Sequence, residues 1–496
     1  MDRRRPSTAW RTGLAVVMAV TGAVALPVTA HAAVGSGPAA TGLQDDFNGD
    51  GYSDLAVGAP AATVGGRKTA GYVAVVYGSA SGLKTSTKQV FSQNSAGVPG
   101  TAEAGDQFGS AVTSADLDGD GYADLIVGAG GEDTAVGADA GLVEVIWGGA
   151  RGLSGGASLA SGKASYDKLG AKGHLAAGDV DGDGAPDVIT VQNAHDLRIL
   201  GGGFARDGST AHGGQVVVDR FDSRVLDLAT GDINGDGITD IAAVENDGDE
   251  YDARRVVYWT GSATEINPYT LVTDIDGAAL QGGENLALGD VNKDGYDDIV
   301  VGRAVDGYDS DLDNPYVKGG RITWIPGTAD GPDGVKAKFV YQDTPLVPGT
   351  AETGDRFGTD VQVADVDGDG YADIAAGIPG EDLGSVTDAG SVVVLRGTNT
   401  GPTSSGSMVF SQNTAGVPGT GEKGDAFGSA TRLVDVTGDG RAELAVGAPG
   451  ENAGQGGVWV FRATEHAITA TGSSTFGAGT LGTVAAGARL GSGFAY

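Results

Sequence analysis

The sequence predicts an all-β protein made of seven four-stranded units, and three observations support this prediction. A nine-residue acidic segment of the form D-x-[DN]-x-D-G-x-x-D occurs seven times with small changes, at starting points 53 to 75 residues apart. An apolar run such as Leu55-Ala56-Val57-Gly58 follows it. The 89 glycines and only 6% aromatic residues indicate many tight turns. A repeat at this scale predicts an array of equal units and overrides a division of the 496 residues into ordinary domains.

The strand pattern of one unit is clearest around the second acidic segment. Residues 108–112 precede the segment, residues 125–128 follow it, and a glycine-rich turn leads to a third run at residues 142–147. The turn at residues 148–153 then leads to a weaker fourth run. Short β-prone runs separated by turn residues predict antiparallel strands. Four strands repeated seven times predict a seven-bladed β-propeller of four-stranded blades.

The N-terminal 44 residues are predicted to lie outside the repeats. Residues 1–32 have the features of a secretory signal peptide: a basic start, an apolar run from Leu14 to Leu26 and a cleavage pattern at Ala30-His31-Ala32. An uncleaved anchor is the alternative, and the arginine run leaves Sec and twin-arginine export both open. Residues 33–44 are small and polar and predict a flexible leader. The propeller is expected to span residues 45–496, without a transmembrane segment in the mature chain.

Two further motifs accompany the acidic segments. Phe-Gly stands eight residues before the first aspartate in three units, at residues 108, 357 and 427, and Gly-Ala-Pro follows the acidic segment at residues 58–60 and 447–449. With these motifs the chain resembles the FG-GAP repeat family, which forms the propeller at the head of integrin α chains and occurs in bacterial secreted proteins. Units three to five depart from Gly-Ala-Pro. Units three and four also lack Phe-Gly at that spacing, so they are expected to be the irregular blades.

The first unit has no strand before its acidic segment, and the chain ends on a strand with no acidic segment after it. The C-terminal Leu490-Gly491-Ser492-Gly493 is similar to Phe427-Gly428-Ser429-Ala430. We therefore predict that residues 490–496, ending at Tyr496, complete blade one and close the ring, which removes exposed strand edges. A frayed tail is the alternative.

The acidic segments are predicted to be loops that bind up to seven Ca²⁺ ions. Aspartates at loop positions 1, 3 and 5 converge when the chain curls, and glycine at position 6 permits the sharp turn. Carboxylate and carbonyl oxygens are hard donors that suit Ca²⁺. An EF-hand would need Glu at position 12, where Val57, Val127 and Val446 stand instead. A structural role for the ions is favoured over catalysis or ligand bridging by a loop metal.

The predicted loops occupy residues 46–54, 116–124, 179–187, 232–240, 290–298, 365–373 and 435–443. The residues at position 1 are Asp46, Asp116, Asp179, Asp232, Asp290, Asp365 and Asp435. Those at position 3 are Asn48, Asp118, Asp181, Asn234, Asn292, Asp367 and Thr437. Those at position 5 are Asp50, Asp120, Asp183, Asp236, Asp294, Asp369 and Asp439. In loops of this type position 7 supplies a backbone carbonyl, which in this chain belongs to Tyr52, Tyr122, Ala185, Ile238, Tyr296, Tyr371 and Arg441. The carboxylates at position 9 belong to Asp54, Asp124, Asp187, Asp240, Asp298, Asp373 and Glu443. Loop seven departs most from the pattern.

Composition and motifs limit the function classes. The net charge of −34 argues against nucleic acid and anionic membranes as partners, and the absence of cysteine excludes thiol-based redox or metal sites. One G-x-S-x-G match, at residues 152–156, falls at a turn that recurs in other units. It therefore lacks the strand-turn-helix context of a hydrolase nucleophile. No catalytic residues are predicted.

The leading functional hypothesis is a secreted, non-enzymatic module, taken as a monomer, that binds a protein or carbohydrate ligand, as the resemblance to integrin heads implies. The candidate contact loops, residues 246–255 and 302–320, are acidic and are expected on the face opposite the calcium loops. Solvated loops without a partner are the alternative there. Two other functions stay open: a secreted esterase-like or phospholipase-like hydrolase, because FG-GAP repeats accompany a phospholipase D, and a structural cell-envelope protein.

Overall fold

The computed structural model describes residues 44–218, 223–248, 254–264, 266, 268–306 and 318–495, which form seven four-stranded antiparallel sheets. Each sheet is one blade of a propeller, as predicted. The predicted signal peptide, leader residues 33–43 and Tyr496 lie outside the described residues.

The strands fall into four sets according to their place in the blade, and each set runs from blade one to blade seven. The innermost strands are Gly493–Phe494, Phe108–Ala115, Leu175–Gly178, Arg224–Gly231, Asn285–Gly289, Val361–Ala364 and Ala430–Val434. The second strands are Leu55–Ala59, Asp124–Ala129, Asp187–Gln192, Asp240–Asn246, Asp298–Arg303, Asp373–Ile378 and Glu443–Ala448. The third strands are Tyr72–Tyr77, Leu142–Trp147, Asp196–Leu200, Arg254–Trp259, Arg321–Ile325, Ser391–Arg396 and Gly457–Arg462. The outer strands are Lys84–Phe91, Ser154–Ser161, Gln215–Val217, Thr270–Leu271, Lys338–Val340, Thr403–Phe410 and Thr469–Gly477.

Helix is almost absent from the described residues. Gly334–Lys336 forms one 3₁₀ turn and Ala478–Leu481 a single helical turn, whereas Glu451–Gly454 is a turn in which Asn452 and Ala453 have positive φ. The outer strands of blades three and four have only three and two residues, in line with the irregularity expected there. The outer strand of blade five is also short, with three residues. The regular, repeated part of the fold is therefore the inner three strands of each blade.

The innermost strands form a closed circuit around the axis, because each contacts the innermost strands of both neighbouring blades. The C-terminal strand Gly493–Phe494 takes this place in blade one. It pairs antiparallel with the second strand of that blade, with Val57 opposite Phe494 and Gly58 opposite Gly493. It also contacts the innermost strands of blades two and seven.

The hydrophobic core is divided among the seven interfaces between adjacent blades. The second strands have neighbours on both faces, so nearly all their side chains are buried. In blade one, Leu55 and Val57 pack towards blade seven, whereas Ala56 packs towards blade two. The alternation of side chains along a strand thus serves two cores, which explains why these strands read as continuous apolar runs.

The Phe-Gly motifs tie neighbouring blades together. Phe108, Phe357 and Phe427 are fully buried, and each follows a residue with a left-handed backbone. Leu169 and Leu490 have the same setting: each is fully buried, follows a left-handed residue and forms a parallel bridge to a glycine of the preceding blade. Blade three therefore does carry an equivalent of Phe-Gly, at Leu169-Gly170. It stands ten residues before the first loop aspartate instead of eight.

Candidate metal centres on the loop face

Each of the seven acidic loops leads into the second strand of its blade, and in blades two to seven it connects the innermost strand to the second. The aspartate at position 1 shapes each loop. In the first loop the Oδ1 atom of Asp46 accepts hydrogen bonds from the amides of Gly49 at 2.7 Å and Asp50 at 3.2 Å. Its Oδ2 atom accepts one from Gly51 at 2.9 Å. The amide at position 6 donates to the first aspartate in all seven loops. The glycine at that position has φ between 81° and 90° throughout, as the predicted turn requires.

The carboxylate at position 9 joins its loop to the end of the third strand. In the first loop Oδ2 of Asp54 accepts from the amide of Phe47 at 3.1 Å, and Oδ1 accepts from the amide of Gly78 at 2.8 Å. The same pair of bonds recurs in the other loops. A methyl group added to Gly78 would lie 2.3 Å from the carbonyl oxygen of Ser53, so only glycine fits there. The two hydrogen bonds to the position-9 carboxylate form a structural brace between the loop and the end of the third strand. The same carboxylate is a candidate metal ligand.

Burial raises the pKa of these position-9 carboxyls well above the ordinary value. The pKa of Asp54 rises to about 8 and that of Asp124 to about 7, because burial disfavours the charged form. The two backbone amides act in the opposite direction, whereas the neighbouring loop carboxylates raise the pKa further. Such a concentration of carboxylates is electrostatically costly without a counter-charge.

Three loops bring carboxylate oxygens close enough to hold a metal ion together. In loops two, three and six, oxygens from positions 1, 3 and 9 all lie within 4.8 Å of one another. These groups are Asp116, Asp118 and Asp124; Asp179, Asp181 and Asp187; and Asp365, Asp367 and Asp373. The donors are all oxygen, which fits a hard divalent cation.

The remaining predicted ligands stand in different settings. The position-5 carboxylates do not belong to these three groups. Oδ1 at position 5 instead accepts from the amide at position 7, as in the pair of Asp50 and Tyr52 at 3.2 Å. In loops one, four and five an asparagine stands at position 3, and its Oδ1 accepts from the position-5 amide. Loop seven places Thr437 beside Asp435 and Glu443, with hydroxyl distances of 3.4 Å to each carboxylate.

A basic side chain contacts each of the three loops that have aspartate at position 3. Arg206 places Nε 2.6 Å from Asp118 and Nη2 2.5 Å from Asp120. Arg396 pairs with Asp367 and lies 3.2 Å from Asp369, and His212 contacts Asp183. Among the described residues, loops one, four and five, which have asparagine instead, show no such ion pair. The extra carboxylate thus coincides with a basic neighbour in these three loops. Loop seven has threonine at position 3, and there Arg441 of the same loop lies 2.6 Å from Asp439.

Two structural roles in the loops were missed at the sequence level. The residue at position 2 is apolar, and its side chain is fully buried in every loop: Phe47, Leu117, Val180, Ile233, Val291, Val366 and Val436. The signal was present, because all seven residues at this position are apolar. Position 8 links the loops to one another: its amide donates to the position-1 carbonyl of the preceding loop at six of the seven blade boundaries, at 2.9–3.3 Å. At the seventh boundary position 8 is Pro186, which has no amide hydrogen.

The predicted contact loops on the opposite face are described only in part, because residues 249–253 and 307–317 lie outside the described residues. The base of loop 302–320 is tied by Asp306, whose carboxylate accepts from the amides of Gly319 and Gly354, both at 2.6 Å. The same face carries several exposed large side chains that the sequence pattern did not mark, among them Tyr166 and Val136 in blade two and the join to blade three. Tyr166 is 69% exposed and Val136 is 52% exposed, and the amide of Tyr166 donates to Ala138 at 2.8 Å. Tyr166 also has φ of 64°, an unusual value for a bulky residue.

The G-x-S-x-G match is a turn between two strands of blade two. Gly152 lies in the turn, and Ser154 begins the outer strand Ser154–Ser161, so no helix follows. The strand-turn-helix geometry of a nucleophile elbow is not formed there.

Comparisons with known proteins give one consistent result. The FG-GAP repeat model matches residues 40–76, 108–145, 357–395 and 427–461, and an FG-GAP-like repeat model matches residues 232–301. The chain is 32% identical over 229 residues to integrin alpha pat-2 of Caenorhabditis briggsae, covering 44% of this chain and 17% of the integrin. It is 32% identical over 223 residues to human integrin alpha-IIb, covering 43% and 20%. It is also 36% identical over 146 residues to bovine phosphatidylinositol-glycan-specific phospholipase D, covering 29% and 17%.

The matched region is thus about a fifth or less of each of these relatives. Within the part of the chain that the structure describes, no helix has the length and apolar character needed to cross a membrane.

Proposed function

We propose that this integrin-alpha-like FG-GAP propeller is a secreted, calcium-binding module that binds a protein or carbohydrate ligand through the face opposite its acidic loops. The observation that carries the proposal is the combination of FG-GAP repeats with likeness to integrin alpha chains. Secretion rests on the signal-like residues 1–32. The ligand class is taken from the likeness to integrin alpha chains. The choice of face rests on where this chain places its acidic loops and its exposed side chains.

Calcium is proposed to stabilise the loop face. Loops two, three and six offer three carboxylates each, and loops one, four and five offer an amide oxygen in place of one of them. The bound cation would offset the repulsion between carboxylates that burial places close together. The chain's own residues set the loop shape through hydrogen bonds to the backbone, so the ion would hold the loop before each second strand in place without taking part in a reaction.

Calcium binding is tested by melting the protein in excess EDTA and after adding Ca²⁺. Extracellular sites of this kind bind at roughly 10⁻⁴–10⁻³ M, so millimolar Ca²⁺ is expected to raise the melting temperature strongly, because an ion that binds the folded state stabilises it. The matched control is K⁺ at equal ionic strength. A melting temperature unaffected by EDTA and Ca²⁺ would remove the calcium assignment.

Ligand binding is proposed for the opposite face, because the acidic loops are engaged in bracing their own blades. That face carries loops 246–255 and 302–320 and the exposed pair Val136 and Tyr166. Exposed large side chains on a rigid scaffold are suited to partner contact. The backbone strain at Tyr166 supports the same assignment, since unusual φ values concentrate at functional positions.

The test is a pull-down from native culture medium with the immobilised full chain. One variant replaces residues 307–317 by a glycine-serine linker, and a second carries Val136→Ser and Tyr166→Ser. Val335→Ser is the control, because Val335 is 55% exposed but lies on the loop face. Loss of the captured ligand in either opposite-face variant, with retention in the control, is expected. Equal capture by all variants would refute the location.

A second candidate, a secreted hydrolase, is favoured by the similarity to a phospholipase D over 146 residues. That similarity covers 17% of the enzyme. A screen of ester and phosphodiester substrates with the purified chain, with and without Ca²⁺, distinguishes the two. Turnover that co-purifies with the chain would establish the hydrolase and replace the binding proposal.

A further inference from the structure

Two of the acidic loops contain an asparagine that is followed by glycine, at Asn48-Gly49 in loop one and Asn234-Gly235 in loop four. No other Asn-Gly pair occurs in the sequence. Asparagine is a thermolabile residue, because the next amide nitrogen along the chain can attack its side-chain amide carbon. Glycine has no side chain to shield that nitrogen. The surroundings of the two pairs in the fold therefore decide whether they react.

The attacking nitrogen is held in both loops by the aspartate at position 1. The amide of Gly49 donates to Oδ1 of Asp46 at 2.7 Å. In loop four the amide of Gly235 donates to Oδ1 of Asp232 at 2.8 Å. These distances lie in the range at which a carboxylate serves as a general base. The glycine nitrogen thus has a proton acceptor in place in each loop.

The side-chain carbonyl of the asparagine is polarised by a second amide. The amide of Asp50 donates to Oδ1 of Asn48 at 2.8 Å, and the amide of Asp236 donates to Oδ1 of Asn234 at 2.9 Å. A backbone N–H directed at this oxygen stabilises the negative charge that develops on it when the carbon is attacked. Both asparagines are half-buried and the glycines after them are exposed, so water has access to the reacting groups.

The packing of neighbouring loops requires glycine after both asparagines. Gly49 has φ of 69° and Gly235 has φ of 72°, in the left-handed region. A methyl group added to Gly49 would lie 2.5 Å from the ring of Tyr122 in loop two. A methyl group added to Gly235 would lie 2.8 Å from the ring of Tyr296 in loop five. A larger residue that would slow the attack is therefore excluded from these two positions.

Loop five provides a natural comparison within the same chain. The amide of Asp294 donates to Oδ1 of Asn292 at 2.9 Å, as in the other two loops, but Lys293 follows this asparagine. Lys293 has φ of 59°, and its Nζ atom donates to the carbonyl of Asp369 in loop six at 2.7 Å. A side chain at position 4 hinders the approach of the nitrogen, so Asn292 is expected to stay intact.

We propose that Asn48 and Asn234 deamidate in the folded, calcium-free protein through a cyclic imide. The glycine nitrogen forms a bond to Cγ of the asparagine, and the proton of that nitrogen passes to the position-1 carboxylate. The bond between Cγ and Nδ2 breaks, and Nδ2 leaves as ammonia with the same proton. Water then opens the imide and leaves aspartate or isoaspartate in place of the asparagine. The sequence of steps needs no oxidant or reductant.

The two products change the loop in opposite ways. Aspartate at position 3 gives the set of three carboxylates that loops two, three and six have, and it strengthens binding of a divalent cation. Isoaspartate adds one carbon atom to the backbone and displaces position 3 from the other ligands. Calcium is expected to suppress the reaction, because it engages the position-1 carboxylate and the asparagine oxygen. This suppression alone rests on the proposed calcium binding.

The test incubates the purified full chain in EDTA and in saturating Ca²⁺, at neutral pH and below the melting temperature measured in EDTA. Peptide mapping by mass spectrometry measures the converted fraction of each asparagine. In EDTA, Asn48 and Asn234 are expected to convert and Asn292 to stay intact. Slower conversion of Asn48 and Asn234 in this folded chain than in the chain unfolded in urea would overturn the proposal. Equal conversion in EDTA and in Ca²⁺ would instead contradict calcium binding in these loops and still support the reaction.

Two variants test the assigned roles. Asp46→Asn removes the base of loop one with little change in shape, so conversion of Asn48 in EDTA is expected to fall at least tenfold. Asn234 of the same molecules is the internal control and is expected to convert as in the parent. Lys293→Gly does not touch loop one and removes a left-handed lysine, so it keeps the test valid if Asp46→Asn does not fold. Asn292 is then expected to convert at a rate similar to that of Asn48. Unchanged conversion of Asn48 in Asp46→Asn, or an intact Asn292 in Lys293→Gly, would overturn these roles.

Discussion

At the scale of single residues, blade seven shows how two departures from the repeat compensate each other. It has Glu443 where the other loops have aspartate at position 9. It also has Ala463 where the other blades have the glycine whose amide donates to the position-9 carboxylate. The bond from the Ala463 amide to Glu443 is 3.4 Å long, against 2.7–2.9 Å in the other six blades. The methyl group of alanine requires more room near the loop, and the extra methylene of glutamate spans the added distance.

This pairing predicts non-additive effects of substitution. Glu443→Asp alone is expected to lower the free energy of unfolding by about 1–3 kcal/mol, because a buried amide loses its acceptor. Ala463→Gly combined with Glu443→Asp recreates the brace of the other blades and is expected to recover most of that loss. Chemical denaturation of the two single variants and the double variant measures the coupling. Additive effects would show that the two residues do not interact.

Glu144 in blade two is a buried carboxyl outside the metal loops. It is fully buried and both its oxygens lack a hydrogen-bond partner. Burial raises its pKa from 4.5 to about 8, with further contributions from Glu132 and Asp106. Because the folded-state pKa is the higher one, the folded protein holds a proton that the unfolded chain releases. Glu144 therefore favours folding below pH 4.5, and this contribution is lost as the pH rises towards 8.

Glu144→Gln is accordingly expected to change the pH dependence of stability. Between about pH 4.5 and 8 the unfolding free energy of the parent should fall by a few kcal/mol relative to that of the variant, at up to roughly 1.4 kcal/mol for each pH unit. Urea unfolding in saturating Ca²⁺ at pH 5, 6, 7 and 8 measures this difference. Glu465→Gln, at a position that is exposed, serves as control. Parallel curves for parent and Glu144→Gln would contradict the assignment.

At the scale of elements, the described loops divide into those whose carboxylates pair with a basic side chain and those that show no such pair. Arg206 belongs to blade three but pairs with loop two. The sequence identified every acidic loop, because the loop is defined by short-range spacing. It could not identify Arg206 as a partner, because that contact joins residues 86 positions apart across a blade boundary.

The arginine is expected to stabilise the calcium-free loop and to oppose the ion. Arg206→Ala should therefore lower the melting temperature in EDTA and raise the affinity of loop two for Ca²⁺, because the carboxylates lose a competing positive charge. Calcium titration followed by calorimetry, together with melting in EDTA, gives both values. Arg151→Ala changes an exposed arginine on a turn and should alter neither. An unchanged calcium affinity in Arg206→Ala would exclude competition.

At the scale of the whole molecule, the number of blades and the order of strands followed from the sequence, because one acidic loop precedes the second strand of each of the seven blades. What did not follow was the detail of blades three to five. Leu169-Gly170 was missed since an insertion moves it two residues away from the regular spacing, and the short outer strands carry little apolar pattern. A cavity of about 220 Å³ that residues of all seven blades line was also beyond prediction. It is assembled from short stretches of seven distant segments, and no local pattern marks them.

The C-terminal strand Gly493–Phe494 pairs with the first blade and contacts the last. Leu490, Phe494 and Ala495 are buried, and the amide of Ala495 donates to Ala56 at 3.1 Å. Phe494 packs in the core between blades one and seven, so the segment joins the first blade to the last.

Deleting residues 487–496 is therefore expected to lower the melting temperature sharply, and Phe494→Ala to cost about 3–5 kcal/mol, as truncation of a buried phenylalanine does. Val484→Ser, at a 54% exposed position just before the deleted residues, is the control and should melt with the parent. Melting in saturating Ca²⁺ keeps the loop sites constant across the series. If the deletion melted like the parent, the ring would be held by its blade interfaces alone, and the pairing of Val57 with Phe494 would contribute nothing to stability.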